Sequence, residues 1–227
     1  MGQSYFNIEK DIEIAIDSNK PINLISYALS EDMEKKLEKV IEKILERFDR
    51  SDLISTVYTC IKELAINGTK ANIKKIYFDE LNVDYSQKEE YQNGLKVFKE
   101  HFNENWLYQY GRKAKDAGYF VKIKFYYDDH GMRAEVTNNV QIHPVDEKRI
   151  REKLAKAMQY DSIADFYMQC SDNTEGEGIG IALVVLLLKG EGMDPNLFRV
   201  GIINRLTTAR IEIPFSKEFK TLRETTS

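Results

Sequence analysis

Cysteine is scarce in this 227-residue chain, which contains only Cys60 and Cys170. Neither residue belongs to a Cys-x-x-Cys motif or to a Cys/His cluster, and this argues against a zinc site and a disulfide framework. Both thiols are therefore expected to be reduced.

Long apolar runs are also missing. The first 11 residues contain no apolar h-region, and the longest apolar run, 179–188, is far too short to cross a bilayer. Position 6 is Phe, where a myristoylation site would have Ser or Thr. These absences predict a cytoplasmic protein with no membrane partner.

An excess of positive charge is likewise absent, because the formal net charge is −4. This balance gives no reason to expect nucleic acid or an anionic membrane surface as a partner. Apolar residues make up 42% of the chain and charged residues 31%, proportions that argue against extended disorder. The length fits one large domain, or a domain with an insertion.

The pattern of apolar residues predicts alternating strands and helices. Segments 11–17 and 22–29 alternate as strands do, and Ser30 is a suitable N-cap for an amphipathic helix over 31–48. A second helix begins near Ser51 and is predicted to end near Asn72, with a strand starting at 75–78. Further along we predict a hairpin over 120–137, two short helices within 144–170, a helix over 181–188, and strands over 197–204 and 208–214.

Residues 79–118 differ from the rest in being rich in charged and aromatic side chains. Leu95, Phe98, Phe102 and Trp106 would share one helical face. Such a stripe is either a packing surface against the parent domain or a surface for a partner or a dimer. His101 lies among these residues without a second potential ligand, and we interpret it as structural.

The second helix carries a polar stripe opposite its core-facing side. Thr56, Cys60, Glu63, Asn67 and Lys70 fall on this stripe, with the last three at i, i+4 and i+7. A carboxylate, an amide oxygen and a cation are the groups that a metal–triphosphate site uses. The alternative is the solvated polar face of an ordinary amphipathic helix.

A glycine cluster precedes the apolar helix, with Gly176, Gly178 and Gly180 at alternate positions. Glycines allow backbone N–H groups to approach a phosphate, and the N-terminus of the following helix favours negative charge. Glycine can also serve packing alone in such loops. A Rossmann site does not fit, because the cluster follows a polar loop and not an early strand.

The order of these features resembles the GHKL ATPase superfamily, which includes sensor histidine kinases, anti-sigma-factor serine kinases and the ATPase domains of type II topoisomerases. The likeness is greatest to the anti-sigma-factor serine kinases. It covers nearly all of residues 1–227 as one domain, except 79–118, which would be a helical insertion. The resemblance implies a two-layer α/β sandwich, with helices on one face of a mixed, mostly antiparallel sheet.

The resemblance also implies roles for individual residues. Glu63 matches the general base, Asn67 the Mg²⁺ ligand, and Lys70 the basic residue near the phosphates of ATP or ADP. The phosphate-contacting glycine loop corresponds to Gly176, Gly178 and Gly180. The family's adenine-recognising D-x-G-x-G element falls at 138–142, where this chain has Asn138, Val140 and Ile142 in place of the Asp and both glycines.

Two hypotheses of function follow from the resemblance. The first is a cytoplasmic signalling protein that binds a purine nucleotide with Mg²⁺ and acts on a protein partner, as a serine/threonine kinase or an ATPase. The second is a non-catalytic module that has lost the nucleotide and binds a protein, or a second copy of itself, through its lid or residues 79–118. A self-phosphorylating histidine kinase is not expected, because all three histidines follow the Glu63–Asn67 helix.

Overall fold

The computed structural model describes residues 8–170 and 179–225, which form an antiparallel sheet with the long helices packed on one of its faces. No helix within these residues has both the length and the apolar character that crossing a bilayer requires. The predicted two-layer α/β sandwich with a mostly antiparallel sheet is confirmed. The strands are β1 (Ile22–Ser26), β2 (Val121–Asp128), β3 (Gly131–Asn138), β4 (Phe198–Ile203) and β5 (Leu206–Pro214).

The helices fall into three groups along the chain. Before the β2–β3 hairpin lie α1 (Ile8–Asp17), α2 (Glu31–Arg47) and α3 (Ile54–Glu80), followed by α4 (Lys88–His101), α5 (Trp106–Gln109) and α6 (Gly111–Asp116). After the hairpin come α7 (Pro144–Ala157), α8 (Ile163–Cys170) and α9 (Ile179–Gly190). A short α10 (Leu222–Thr225) follows the β4–β5 hairpin.

Across the described part of the sheet the strand order is β1-β2-β3-β5-β4, and neighbouring strands are antiparallel. Side chains alternate between the two faces, as the pleat requires. On β2, Ile123 and Phe125 are fully buried, whereas Lys122 and Lys124 lie on the other face, partly exposed. The inward-facing residues of β2, β3 and β5 join α2, α3 and α9 in the main hydrophobic core.

Several predicted elements are confirmed with small changes at their ends. The side chain of Ser30 accepts a hydrogen bond from the backbone N–H of Met33 and caps α2, whose apolar stripe is buried. The two hairpins, the two helices of 144–170 and the apolar helix α9 all lie where the sequence predicted them.

The predicted strand over 11–17 is wrong, because this segment belongs to α1. Its apolar residues satisfy two periods at once: Ile12, Ile14 and Ile16 alternate, but Ile12 and Ile16 also lie one helical turn apart. The structure uses the helical spacing, and Ile12 and Ile16 are buried while Ile14 is 52% exposed. Packing against α2 therefore decides the conformation.

The predicted end of the second helix near Asn72, with a strand over 75–78, is also wrong. The helix α3 continues without interruption to Glu80. Ile73, Ile76 and Phe78 are buried along this extension, and side chains of the 79–118 segment cover Ile73 and Phe78. Residues 75–78 include β-branched and aromatic side chains, which favour a strand in isolation, but their tertiary contacts make them helical here.

The 79–118 segment is helical, as predicted, and its aromatic stripe packs inside the chain. Phe98 is buried, and Phe102 and Trp106 are partly buried beside it. Together with the C-terminal half of α3 they form a second hydrophobic cluster, separate from the main core. The buried members of this aromatic cluster are Ile73, Phe78, Tyr91, Leu95, Phe98 and Leu107. Of the two alternatives for the stripe, the structure shows packing against the parent domain.

Candidate functional site

A cavity of about 260 Å³ lies between the β3–β5 part of the sheet and helices α3, α4 and α7. Asn67, Lys70 and Asn138, three of the residues singled out in the sequence, line this cavity together. Val140 and Ile142, which stand at the positions of the two family glycines, line it as well. Gly176 and Gly178 lie outside the described residues.

Gly68 allows residues from α3 and β3 to line the same cavity. A Cβ atom at this position would lie 3.2 Å from the Val121 side chain and 3.6 Å from Cβ of Asn138. The absence of a side chain lets α3 approach the ends of β2 and β3 closely. Asn67, its chain neighbour, and Asn138 are therefore brought to one cavity.

The amide of Asn138 is held in one orientation. Its side-chain Nδ2 donates to the backbone oxygen of Val140 at 3.3 Å and to Oδ1 of Asn72 at 3.4 Å. Thr207 Oγ1 donates to the same Val140 oxygen at 2.7 Å and closes this corner. Within the described part of the chain nothing donates to Asn138 Oδ1, so that the residue offers the cavity a hydrogen-bond acceptor.

Glu63 and Gly180 meet at the start of α9, next to Asn67. A Cβ atom at Gly180 would clash with Glu63 Oε2 and would lie 3.5 Å from Nδ2 of Asn67. Only glycine fits there without moving the carboxylate. Neither Glu63 nor Gly180 lines the cavity itself, so the predicted base and the last glycine of the cluster lie beside it.

The polar stripe of α3 is not a solvated face near its N-terminus. Cys60 is fully buried, and burial raises the pKa of its thiol to about 12. The Thr56 hydroxyl donates to the Glu191 carboxylate that follows α9. The first half of the predicted stripe is therefore a packing surface, and only the part from Glu63 to Lys70 lies near the cavity.

The sequence predicted only Lys70 among the cationic side chains that form a basic wall of the cavity. Counting only described residues, five cationic side chains and one carboxylate, Asp146, line the cavity. The spacing of Arg149 and Lys153 on α7, four residues apart, could have indicated a shared face. Tyr91 and Lys99 of α4 had no such signal, because the fold of the 79–118 segment decides where they lie. The cations are Lys70, Lys74, Lys99, Arg149 and Lys153.

A polar cluster joins α3, α4 and α7 at this wall. Lys74 forms an ion pair with Asp146 and donates to the Tyr91 hydroxyl at 2.8 Å, and this hydroxyl donates to Asp146 at 2.6 Å. The Tyr91 ring stacks on His143 with their centroids 3.5 Å apart. Arg149 lies 3.7 Å from Asp146.

The pKa values of this cluster follow from its contacts. Burial alone would raise the pKa of Asp146, but the charge and hydrogen bond of Lys74, the Tyr91 hydroxyl and Arg149 lower it below its ordinary value of 3.8. Burial, followed by the charge of Asp146, raises the pKa of Tyr91. The carboxylate therefore stays ionised and the phenol protonated at neutral pH.

The side chains near the start of α9 fit a magnesium–nucleotide complex better than a metal held by protein alone. Glu63 and Asn67, one helical turn apart, offer a carboxylate and an amide oxygen. The buried Nδ2 of Asn67, which has no partner among the described residues, is a donor that suits a phosphate oxygen and does not bind a metal. Oxygen donors in small number, completed by phosphate oxygens, are what Mg²⁺ uses at phosphate sites. In residues 8–170 and 179–225, no group of three His, Cys, Asp or Glu residues could hold a metal.

Comparison with known proteins identifies a relative of undetermined function. The chain is 31% identical over 210 residues to an uncharacterized protein of Treponema pallidum (strain Nichols). The match covers 92% of this chain but only 41% of the relative. No family model matches the chain, and no solved structure matches it.

Proposed function

We propose that this chain is a regulatory domain of the histidine-kinase-like ATPase type, which binds ATP or ADP with Mg²⁺ in the cavity between α3 and the sheet. The proposal is carried by one observation: Asn67, Lys70 and Asn138 line a single cavity, and Glu63 lies against the first turn of α9 beside it. Asn138 of β3 shares the cavity with Asn67 and Lys70 of α3, which a merely solvated helix face would not require.

Each residue has a role in this proposal. The Asn138 Oδ1 acceptor suits the amino group of adenine, and Lys70 suits a phosphate. Asn67 would hold Mg²⁺ through its amide oxygen, and the ion would neutralise phosphate charge. Glu63 would accept the proton of an attacking hydroxyl, either from water or from a serine or threonine of a protein partner.

A second candidate is a non-catalytic module that binds a protein partner. Val140 and Ile142 favour it, because they place branched side chains in the cavity lining where the resembled family has glycine. In that case the cavity would be too narrow for adenine, and regulation would act through protein contacts alone.

Thermal unfolding with and without ADP and Mg²⁺ tests both candidates. We expect the nucleotide to raise the melting temperature of the wild type, because a ligand that binds only the folded state stabilises it. Asn67→Ala should reduce the shift chiefly when Mg²⁺ is present. Glu63→Gln should keep the shift but lower any turnover by about 10²–10⁴-fold, the usual contribution of a general base.

Ser55→Ala provides the control, since Ser55 is an exposed position of α3 that does not line the cavity. It should leave both the shift and the turnover unchanged. If millimolar ADP with Mg²⁺ leaves the wild-type melting temperature unchanged, only the non-catalytic module remains. Equal losses of binding from Glu63→Gln and Asn67→Ala would assign both side chains a structural role.

A further inference from the structure

The strand β4 forms an open edge of the sheet. Among the described residues it pairs with β5 on one side and with no strand on the other. An edge strand presents unpaired backbone N–H and C=O groups, and proteins usually protect such edges with proline, lysine or a covering segment. The last three residues of β4, Gly201, Ile202 and Ile203, are exposed, and none of them is a proline or carries a charge.

The opposite edge of the sheet, at β1, is better protected. This strand is only five residues long, and Pro21 stands directly before it. The chain that follows it is tied to the 79–118 segment, because the backbone N–H of Leu29 donates to the backbone oxygen of Leu107 at 3.2 Å. A short strand next to a proline offers little to an incoming strand.

The turn between β4 and β5 determines which backbone groups of β4 point outwards. Its residues, 204–205, have positive φ values of 50° and 65°, which is typical of a two-residue type I′ turn. Ile203 and Leu206, on either side of it, then form a hydrogen-bonded pair, and such pairs alternate with non-hydrogen-bonded ones along the ladder. The N–H and C=O groups of Val200 and Ile202 therefore point away from β5, towards the open edge.

Gly201 lies between Val200 and Ile202, and no contact among the described residues accounts for it. Apart from its chain neighbours, no atom lies within 4 Å of a Cβ built at this position. Its φ is not positive, so the backbone does not require glycine either. Glycine inside a strand weakens the strand and often marks a place where another backbone comes close. An additional strand at the open edge would account for this residue.

We propose that β4 pairs with β4 of a second copy of this chain and joins the two sheets into one sheet of ten strands, five from each copy. A two-fold axis places identical surfaces opposite each other and makes two identical edge strands antiparallel. The β4–β5 hairpin is already ordered, so its pairing costs less conformational entropy than the ordering of a flexible peptide. The occupant of the edge is therefore a second copy of the same hairpin.

The side chains favour one register for this pairing. With Gly201 on the two-fold axis, Val200 of each copy lies opposite Ile202 of the other, and each such pair exchanges both of its outward backbone hydrogen bonds. Moving one strand by two residues towards the turn would set Arg199 opposite Arg205 of the other copy, and like charges directly opposite each other are destabilising. The opposite shift would leave the exposed last residue of β4 beyond the end of the second strand.

The second copy would also contribute to the rim of the cavity. The side chain of Val200 lines the cavity, and directly opposite residues of two paired strands point to the same face of a sheet. Ile202 of the second copy would therefore lie beside the cavity at Val200. Because a two-fold axis perpendicular to the sheet leaves both helical layers on one face, the two cavities would lie on the same face, on either side of the axis.

Ile202→Lys and Ile14→Lys form a matched pair of variants, since these isoleucines are 51% and 52% exposed but lie on β4 and on α1. Sedimentation velocity would measure self-association, and circular dichroism would confirm that each variant is folded. For the wild type we expect a reversible dimer with Kd on the order of 10 µM, because an interface of two short strands is small. Ile202→Lys should weaken it by about tenfold or more, since lysine on an edge opposes strand pairing. Ile14→Lys should dimerise as the wild type does.

Two further kinds of variant test the backbone geometry. Ile202→Pro removes an N–H that β5 does not use, so it should prevent dimerisation and leave the monomer folded. Under oxidation, Gly201→Cys should crosslink the two copies, because opposite Cα atoms in a non-hydrogen-bonded pair are about 4.5 Å apart, within the range of a disulfide. Ile203→Cys should not crosslink, since its two copies would lie about 13 Å apart along the strands, at roughly 3.3 Å per residue. The wild type, with its two native cysteines, gives the background.

The outcomes that would overturn the proposal are distinct. A wild type that remains monomeric up to about 1 mM excludes the dimer. A dimer that neither Ile202→Lys nor Ile202→Pro weakens would use another surface. Assemblies larger than a dimer that Ile202→Lys abolishes would indicate pairing of β4 with β1 of the next copy, not a two-fold dimer. These measurements contain no nucleotide, so their failure would leave the proposed function untouched.

Discussion

The two halves of α3 are packed in different ways. In the N-terminal half Val57, Ile61 and Leu64 are buried among aliphatic side chains of α2, α9 and the sheet. In the C-terminal half Ile73 and Phe78 are buried among the rings of the 79–118 segment. The cavity lies where the two kinds of packing meet.

This difference in packing explains why the polar wall of the cavity lies on the side of the aromatic cluster and not on the side of the main core. The main core is mostly aliphatic, and the hydroxyl of its buried tyrosine, Tyr127, donates to the backbone oxygen of Lys20, neither residue lining the cavity. Tyrosine rings bury an apolar body and still present a hydroxyl at one end. Tyr91 does both, since its ring lies in the aromatic cluster and its hydroxyl reaches Lys74 and Asp146.

The largest expected effect comes from removing one fully buried ring from each region. Phe125→Ala in the main core and Phe78→Ala in the aromatic cluster should each lower the free energy of unfolding by about 3–5 kcal/mol. We expect the two variants to lose protection from hydrogen exchange in different elements, which can be measured at peptide resolution. Phe125→Ala should reduce protection throughout the sheet, whereas Phe78→Ala should reduce it mainly in α4 and α7.

Smaller truncations provide the controls, because Phe125→Leu and Phe78→Leu keep more of the buried apolar surface than Ala does and should cost less. If Phe78→Ala reduces protection of β2 and β3 as much as Phe125→Ala does, the two regions unfold as one unit. The main core and the aromatic cluster would then differ in composition but not in stability.

Much of the main core could be predicted from the sequence, because its elements have a single consistent period. The helix α2 has apolar residues at helical spacing after a Ser30 cap, and β2 and β3 alternate around a tight turn. The convergence of Asn67, Lys70 and Asn138 was predicted only through the family resemblance, because no local pattern indicates that α3 and the end of β3 meet.

The errors arise where tertiary contacts decide between two local conformations. The run of residues 75–78 suits a strand by propensity, and it is helical because aromatic side chains from a later segment cover it. The basic wall could not be predicted for the same reason. Lys99 and Arg149 are 50 positions apart, and their helices meet through the contacts that Tyr91 makes with His143 and Asp146.

An intermediate effect is expected from the ion pair that joins the two regions. Asp146→Asn removes the carboxylate that pairs with Lys74, both side chains being about 15% exposed, and should cost about 1.5–3 kcal/mol. Because contacts lower the pKa of Asp146 in the folded state, its contribution is complete above the ordinary pKa of 3.8 and is lost as pH falls through the folded-state pKa.

Denaturant unfolding of the wild type and Asp146→Asn at pH 7 and at pH 3 would measure this difference. We expect the gap in unfolding free energy between the two proteins to shrink at the lower pH. Asp79→Asn is the matched control, because Asp79 pairs with Lys75 on the exposed surface, where such pairs contribute about 0–1 kcal/mol. A gap that is the same at both pH values would show that Asp146 does not act through its charge.

The smallest effect concerns Asn138, at the boundary between the two regions. In the resembled family an Asp at this position recognises adenine, so Asn138→Asp could be expected to improve adenine binding. The structure leads us to expect the opposite. Asn138 Nδ2 donates to Val140 O and Asn72 Oδ1. A carboxylate in its place would face the Val140 oxygen without a proton to share, while Asn72 would have to turn over its amide and present its unpartnered Nδ2.

Asn138→Asp should therefore lower the unfolding free energy by about 1 kcal/mol, the net value of an ordinary hydrogen bond, because both bonds are long. Titrations of ATP and GTP should show that the wild type already prefers ATP, since Oδ1 accepts from the adenine amino group but meets an oxygen on guanine. Asn138→Ala, which removes the acceptor as well, should lose this preference. A gain in ATP affinity for Asn138→Asp would show that the amide is not fixed by Val140 and Asn72, and that the base is recognised by a side chain free to turn over.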